Sequence, residues 1–206
     1  MKNIRKEVAM WIQLGSFICV WLLLLLISGT RMLIGWEALK RFPEAVVIYS
    51  CGHLFFILRA WRWKIFYAWL VPFPDLQGTW AGTIETTWSV NSTEPPKPPI
   101  PVLLVIRQSF SSANCVMFSK ESGSTSNVAQ LIGDEETAQP QLCFIYSNRP
   151  RASVRDGSEI HAGAAILKVV MKPKRILEGQ YWTDRKTTGD IQVLFKSKKL
   201  MDRFAM

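Results

Sequence analysis

The order of apolar and polar positions divides the chain into two parts with different periods. Residues 8–30 form a 23-residue run without a formal charge, longer than the ~20 residues a helix needs to cross ~30 Å of hydrocarbon. A second uncharged run, residues 45–58, follows Pro43. It spans if Arg59 snorkels and Trp61, Trp63, Tyr67 and Trp69 form an interfacial belt; the alternative is a re-entrant or interfacial helix. The Pro-Phe-Pro-Asp run at residues 72–75 breaks helix. Beyond it the period becomes two, with strand-like runs at residues 78–88, 102–110, 114–121, 127–132, 141–147, 160–171, 175–183 and 188–196. Eight short strands separated by turn signals, with no helix among them, point to an all-β barrel or a sandwich, and the barrel is the preferred reading. The expected architecture is thus two transmembrane helices (residues 1–71) followed by an eight-stranded antiparallel up-and-down β-barrel (residues 72–206).

Composition sharpens this picture. Hydrophobic residues make up 49% of the 206, yet Lys and Arg outnumber Asp and Glu by 25 to 16, and six of the nine tryptophans fall in the first 70 residues. A purely cytosolic protein is excluded by that distribution. Lys2, Arg5 and Lys6 precede the first helix and Arg59, Arg62 and Lys64 follow the second, against Arg31, Lys40 and Arg41 between them. Positive charge at the outer ends places both termini and the barrel in the cytoplasm, in a multi-pass membrane protein. The first run is too long for a signal peptide and lacks a clean cleavage site. The four cysteines show no paired spacing, and Cys51 with His53 supplies two ligands at most, so the chain reads as reduced and metal-free, with His53 packing between helices.

In the strands, charged residues serve as outward markers. Arg107 outward places Val102, Leu104 and Ile106 inside; Lys120 outward places Cys115, Met117 and Ser119 inside; Lys168 outward places His161, Gly163, Ala165, Leu167 and Val169 inside; Glu178 outward places Leu177, Gly179, Tyr181 and Thr183 inside. The small inward residues Gly82, Gly163, Ala165 and Gly179 either open a cavity toward one end or mark the strand bends that close a barrel. Basic residues cluster in two connections at the same end of such a barrel, Arg149, Arg151 and Arg155 in one and Arg185 with Lys186 in the other. Arg and Lys at a rim suit phosphates. The ligand-binding candidates are therefore Arg151, Arg155, Arg185 and Lys186 for phosphate, Tyr146 and Tyr181 for stacking, and His161, Thr183 and Thr187 for polar contacts in the mouth. Trp182 has outward parity. Residues 76–206 carry 16 basic and 12 acidic side chains, too small an excess for a long nucleic acid track.

The runs Phe73-Pro-Asp-Leu-Gln-Gly-Thr-Trp80, Val154-Arg-Asp-Gly-Ser-Glu-Ile-His161 and Tyr181-Trp-Thr-Asp-Arg-Lys-Thr-Thr-Gly189, behind two apolar helices, resemble the two-transmembrane, β-strand-rich effectors of bacterial CBASS (cyclic-oligonucleotide-based antiphage signalling) operons. The resemblance covers nearly the whole chain. It implies a barrel that binds a cyclic oligonucleotide, a 3′,3′-linked cyclic dinucleotide above others, made by a partner nucleotidyltransferase after phage infection. It also implies ligand-driven homo-oligomerisation and disruption of the bacterial inner membrane that stops the infected cell, with no cofactor and no catalysis; exposed strand edges or outer faces would join the protomers. Two rival classes remain at the sequence level. An enzyme has little support, since His161 is the one histidine of residues 76–206 and GxSxG, HExxH and P-loop patterns do not occur. A membrane-tethered lipocalin-like binder of a lipid or other small molecule is raised by Gly78-Thr-Trp80, and requires a more uniformly apolar interior than Ser119, His161 and Thr183 provide.

Overall fold

A computed structural model describes residues 6–29, 35–67, 70–87, 98–133 and 139–204, with side chains from Met10 onward. The chain divides into two compact units, Lys2–Pro72 and Phe73–Met206. In the first unit, α1 (Lys6–Ile27) and α3 (Phe42–Leu58) pack together, with the short α2 (Trp36–Lys40) leading into α3. The spans Met10–Ile27 and Trp36–Leu58 are both long and apolar enough to cross a membrane. Pro43 does not delay the second helix as its sequence position indicates: it lies in the first turn, where a missing N–H costs no hydrogen bond. Aromatic edges join the hairpin, Phe17 against Phe42 at 5.4 Å and Tyr49 at 5.6 Å, and Trp21 against Phe42 at 6.3 Å. His53 stacks on Tyr49 at 5.8 Å, a packing role. Of the expected aromatic belt, Trp63 and Tyr67 are exposed, Trp61 is buried beneath the Arg62 guanidinium, and Trp69 lies outside the described residues, as do Lys2, Arg5, Arg31 and the Lys6 side chain.

In the second unit, β1 (Gly78–Thr86), β2 (Ile100–Gln108), β3 (Ala113–Phe118), β4 (Ser122–Gly133), β5 (Pro140–Pro150), β6 (His161–Val170), β7 (Ile176–Thr183) and β8 (Thr188–Ser197) pair antiparallel in sequence order. Pairing of β1 with β8 closes the barrel. The hydroxyl-braced turns Ser109–Ser112 and Ser119–Ser122 repeat one device, the first Ser N–H donating to the second Ser carbonyl at 2.8 and 2.9 Å and the two hydroxyls bonding to each other. The inward faces named by parity on β2, β3, β6 and β7 are the faces that pack inside. Strand β2 departs from simple alternation, since Leu103 and Val105 are buried on the outer face as well. After β8 the chain turns back over the neighbouring outer face of β1, where the buried Thr79 hydroxyl donates to the Lys199 carbonyl at 2.6 Å and accepts the Met201 N–H.

The barrel is closed and filled at the end where the chain enters β1. Trp80, Leu104, Ile106, Leu131, Leu142, Leu167, Leu177, Ile191 and Val193 are fully buried there and in the middle, each worth ~1.5–3 kcal/mol on burial. Leu76 plugs this end: its N–H donates to Gln108 Oε1 at 2.6 Å and its carbonyl accepts Trp80 Nε1–H at 2.9 Å. Arg175 lies against the Trp80 and Phe195 rings, 5.1 and 3.9 Å from their centroids, and donates to the Asp75 carbonyl at 2.7 Å.

Candidate functional site

Up-and-down connectivity brings the β1–β2, β3–β4, β5–β6 and β7–β8 connections to the other end, and there the filling stops. A cavity of about 190 Å³ opens between the strands. Ile84, Ile100, Val102 and Met117 form its apolar side, and Ser124, Tyr146, Asn148, His161 and Tyr181 its polar side; Ser119, Glu121 and Ser122 at the β3–β4 turn, and Pro150, Val154 and Ser158 at and after the end of β5, complete the lining. Tyr146 and Asn148 are successive inward positions of β5, and Ser124 stands opposite Asn148 on β4. The Ser124 hydroxyl donates to Asn148 Oδ1 at 2.8 Å. All three side chains are nearly removed from solvent, at 5% (Ser124), 4% (Tyr146) and 6% (Asn148) exposure. The Asn148 amide nitrogen and the phenols of Tyr146 and Tyr181 meet no protein hydrogen-bond partner among the described residues. None of the three atoms is closed off from the cavity space, so three unmatched groups on one cavity wall form a surface suited to a polar ligand.

Two glycines make room for the tyrosine rings. Gly163 is the register partner of Tyr146, and a Cβ there would stand 2.5 Å from the Tyr146 Oη. Gly189 is the partner of Tyr181, and a Cβ there would stand 2.6 Å from the Tyr181 Cε1. At Gly82 and Gly179 a Cβ would run into the backbone carbonyls of Gln192 and Ile166. The inward glycines thus mark ring contacts and strand bends, and the cavity owes its space to the filling residues ending short of the mouth. Burial holds the Tyr146 phenol above the ordinary tyrosine range, Tyr181 and Asp184 push it the same way, and the Arg185 charge opposes them. Arg185 is therefore within electrostatic reach of the cavity.

Of the candidates named from sequence, Tyr146, His161 and Tyr181 line the cavity. His161 Nδ1–H donates to the Glu159 carbonyl at 2.9 Å; because a carbonyl only accepts, Nε2 of the neutral ring is left as an acceptor. Thr183 and Thr187 are not in the lining: their hydroxyls bond to each other at 2.5 Å across the β7–β8 turn. Arg151, Arg155, Arg185 and Lys186 are exposed on the connections at the mouth and make no ion pair among the described residues, and none of them lines the cavity. Arg149 points outward, and Trp182 is exposed on the outer face. Asp184, a conceivable acid, instead accepts the Ala162 N–H at 3.0 Å and pins the turn to β6. Among the described residues no three His, Cys, Asp or Glu side chains converge as a metal site. Sequence reasoning missed Ser124 and Asn148. The parity that found Tyr146 also selects Asn148, two residues on. Ser124 was hidden because β4 begins at Ser122 and bulges between Ser126 and Val128, which shifts parity along the strand.

Residues 71–194 match the Cap15 cyclic dinucleotide receptor domain. The chain belongs to the Cap15 family. A curated relative, CD-NTase-associated protein 15 of Staphylococcus schleiferi, is 27% identical over 173 residues, covering 84% of this chain and 87% of the relative. Family membership makes the chain a CBASS-associated receptor for a cyclic dinucleotide, and a receptor or effector class in place of a catalytic one. The mouth of the barrel presents unmatched hydroxyl and amide groups beside cationic connections.

Proposed function

We propose that a cyclic dinucleotide from a partner nucleotidyltransferase binds in the mouth of the barrel, drives self-association, and through the helix hairpin disrupts the inner membrane, aborting phage infection. The observation that carries the reading is the polar cavity wall beneath the unpaired cations Arg151, Arg155, Arg185 and Lys186. Two rings, Tyr146 and Tyr181, offer faces for a base, while the basic connections supply bidentate and point-charge contacts for phosphates. Thr183 and Thr187 support the turn that presents Arg185 and Lys186. A lipid binder fits less well, because one wall of the space present carries an amide, two phenols and an imidazole, and the apolar middle of the barrel is filled.

Ligand drives assembly only by favouring the assembling state over the resting one. The eight strands close into a barrel, with β3 pairing β4 only over Val116–Phe118, so association runs through outer faces, the helices or the short open stretch of edge between β3 and β4. Gly15 and Gly52 leave room on the helices, since a Cβ at either meets nothing within 4 Å in the monomer. The decisive experiment is titration of the full-length chain in detergent with 3′,3′-cyclic dinucleotides against fatty acids. Cyclic dinucleotides raise the melting temperature and increase particle mass, and Arg185→Ala with Lys186→Ala weakens both effects at least ~10-fold, each charge-assisted contact being worth ~1.5–3 kcal/mol. Unchanged binding in that double variant, or stabilisation by fatty acid alone, refutes the reading.

A further inference from the structure

We infer that the cavity admits one nucleobase of the messenger, edge first, and that the Asn148 amide reads it as a base with a carbonyl at pyrimidine C4 or purine C6. This rests on the cyclic dinucleotide reading above and adds which part of the ligand is recognised. Volume gives the stoichiometry. At about 190 Å³ the cavity lies below the ~300–1,000 Å³ of pockets that enclose a whole drug-sized ligand, and just above the ~150 Å³ that accepts a single benzene ring. One flat heteroaromatic ring system enters; the phosphodiester ring and the second base remain at the rim, level with Arg185 and Lys186.

Hydrogen-bond direction gives the edge. Because Ser124 donates into Asn148 Oδ1 at 2.8 Å, the oxygen of the amide is turned to β4 and its nitrogen, with two N–H donors, to the cavity. The nitrogen has no protein partner among the described residues, on a side chain only 6% exposed. The Tyr146 and Tyr181 hydroxyls beside it are likewise unmatched and able to donate. The amide nitrogen, with the two phenols beside it, pairs with the carbonyl of uracil or guanine, in a lining that also holds the acceptor Nε2 of His161 and Glu121. Cytosine or adenine would set an amino group against the amide nitrogen and leave both buried and unpaired, the situation in which polar sites discriminate most sharply.

The full-length chain in detergent is titrated calorimetrically with 3′,3′-cyclic di-UMP, di-GMP, di-CMP, di-AMP and the mixed cyclic UMP–AMP. The better of di-UMP and di-GMP is expected to bind at least ~10-fold tighter than di-CMP and di-AMP. The mixed ligand should fall within about 2–3-fold of di-UMP, since it loses only the statistical factor of two equivalent bases. Asn148→Ala should reduce the carbonyl preference to about 2-fold or less. Ser124→Ala, which leaves the amide free to turn over, should do the same even if Asn148→Ala fails to fold. A mixed ligand at least ~10-fold weaker than every homodinucleotide shows that both bases are read and overturns the inference, as does a preference for di-AMP or di-CMP, or one that survives both substitutions. In each of those results the cyclic dinucleotide reading stands; if the wild-type chain binds none of the five, both fall.

Discussion

Gly163 is the position at which the smallest chemical change tests the mouth. A Cβ there meets the Tyr146 Oη at 2.5 Å and the Trp182 carbonyl at 2.8 Å, and the ring is held by the strand it belongs to, so the added methyl is absorbed by moving Tyr146 into the cavity. Gly163→Ala is expected to destabilise the barrel by ~1–3 kcal/mol, the usual cost of overpacking, and to weaken cyclic dinucleotide binding at least tenfold on the order of that shift. Melting temperature and calorimetric affinity measure the two effects; a variant that binds like wild type removes the Tyr146 ring from the site. Burial also acts on protons at this scale. It pushes the Cys115 thiol up from 9.0 to about 12 and raises Cys143 and Tyr146 as well. Each group stays protonated in the folded barrel at a pH where the unfolded chain has released its proton. The Cys115 contribution is therefore complete below about pH 9 and is lost as pH climbs toward 12, at ~1.4 kcal/mol per pH unit, with Cys143 and Tyr146 acting in the same direction. Unfolding midpoints in urea should fall from pH 9 toward 12, and Cys115→Ala should flatten the decline between pH 9 and 10, before tyrosine takes part. A midpoint independent of pH over that range contradicts the assignment.

Among elements, the closed end of the barrel depends on two polar side chains that the β-pattern does not announce. Gln108 accepts from the Leu76 N–H and donates to the Pro74 carbonyl, in full burial. Gln108→Leu leaves that N–H and carbonyl without partners, a loss of ~1–3 kcal/mol for each orphaned group. Arg175→Met removes the donor to Asp75 and the stack on Phe195, and its cost should also exceed 1 kcal/mol on the order set by charged hydrogen bonds and cation–π contacts. Lys198→Ala, which breaks a 2.6 Å pair with Asp75 whose lysine is 60% exposed, should cost ~0–1 kcal/mol. Chemical denaturation of the three variants checks the order, and a Lys198→Ala variant as unstable as Gln108→Leu would refute it. These contacts also show what alternation in the sequence conveys. All eight strands were legible because apolar and polar positions alternate locally, and inward parity followed wherever a charge marked the outside, as at Lys168 and Glu178. The β4 bulge was not legible, since a one-residue register change depends on Ser126, whose hydroxyl accepts the Cys115 N–H at 2.9 Å in place of a ladder carbonyl. Nor was the double burial of β2 read, although its unbroken apolar run over residues 102–106 is the signal of a strand buried on both faces. The candidate site was legible as far as single side chains carry it: Tyr146, His161 and Tyr181 follow from parity, whereas the unmatched amide of Asn148 becomes visible only when Ser124 is seen to hold its oxygen.

At the scale of the whole molecule, the helices and the barrel have opposite needs. The helices expose Trp11, Leu14, Leu22, Leu23, Leu26, Val47, Leu54 and Phe55, a surface suited to lipid, whereas the barrel exposes its cationic connections to water. The function proposed above expects that mouth in the cytoplasm, the side favoured by the excess of Lys and Arg outside the hairpin over Arg31, Lys40 and Arg41 within it. The native cysteines provide a way to test that topology. Cys115 is buried and its thiol stays protonated far above neutral pH, so it does not react with a maleimide. Cys143 is partly accessible on the outer face of β5, while Cys19 and Cys51 lie on the apolar helices. In a chain with Cys19 and Cys51 replaced by Ala, a membrane-impermeant maleimide should label Cys143 in inverted vesicles and not in spheroplasts, and an added Ser111→Cys in the exposed β2–β3 turn should behave the same way. Trp36→Cys, at a position 70% exposed in the connection between the helices, should label in spheroplasts alone. A second stretch that entered the membrane without crossing it would put Ser111 on the same side as Trp36: the barrel reporters would then be labelled from outside, where no cytoplasmic messenger reaches, and the receptor reading would lose its ligand.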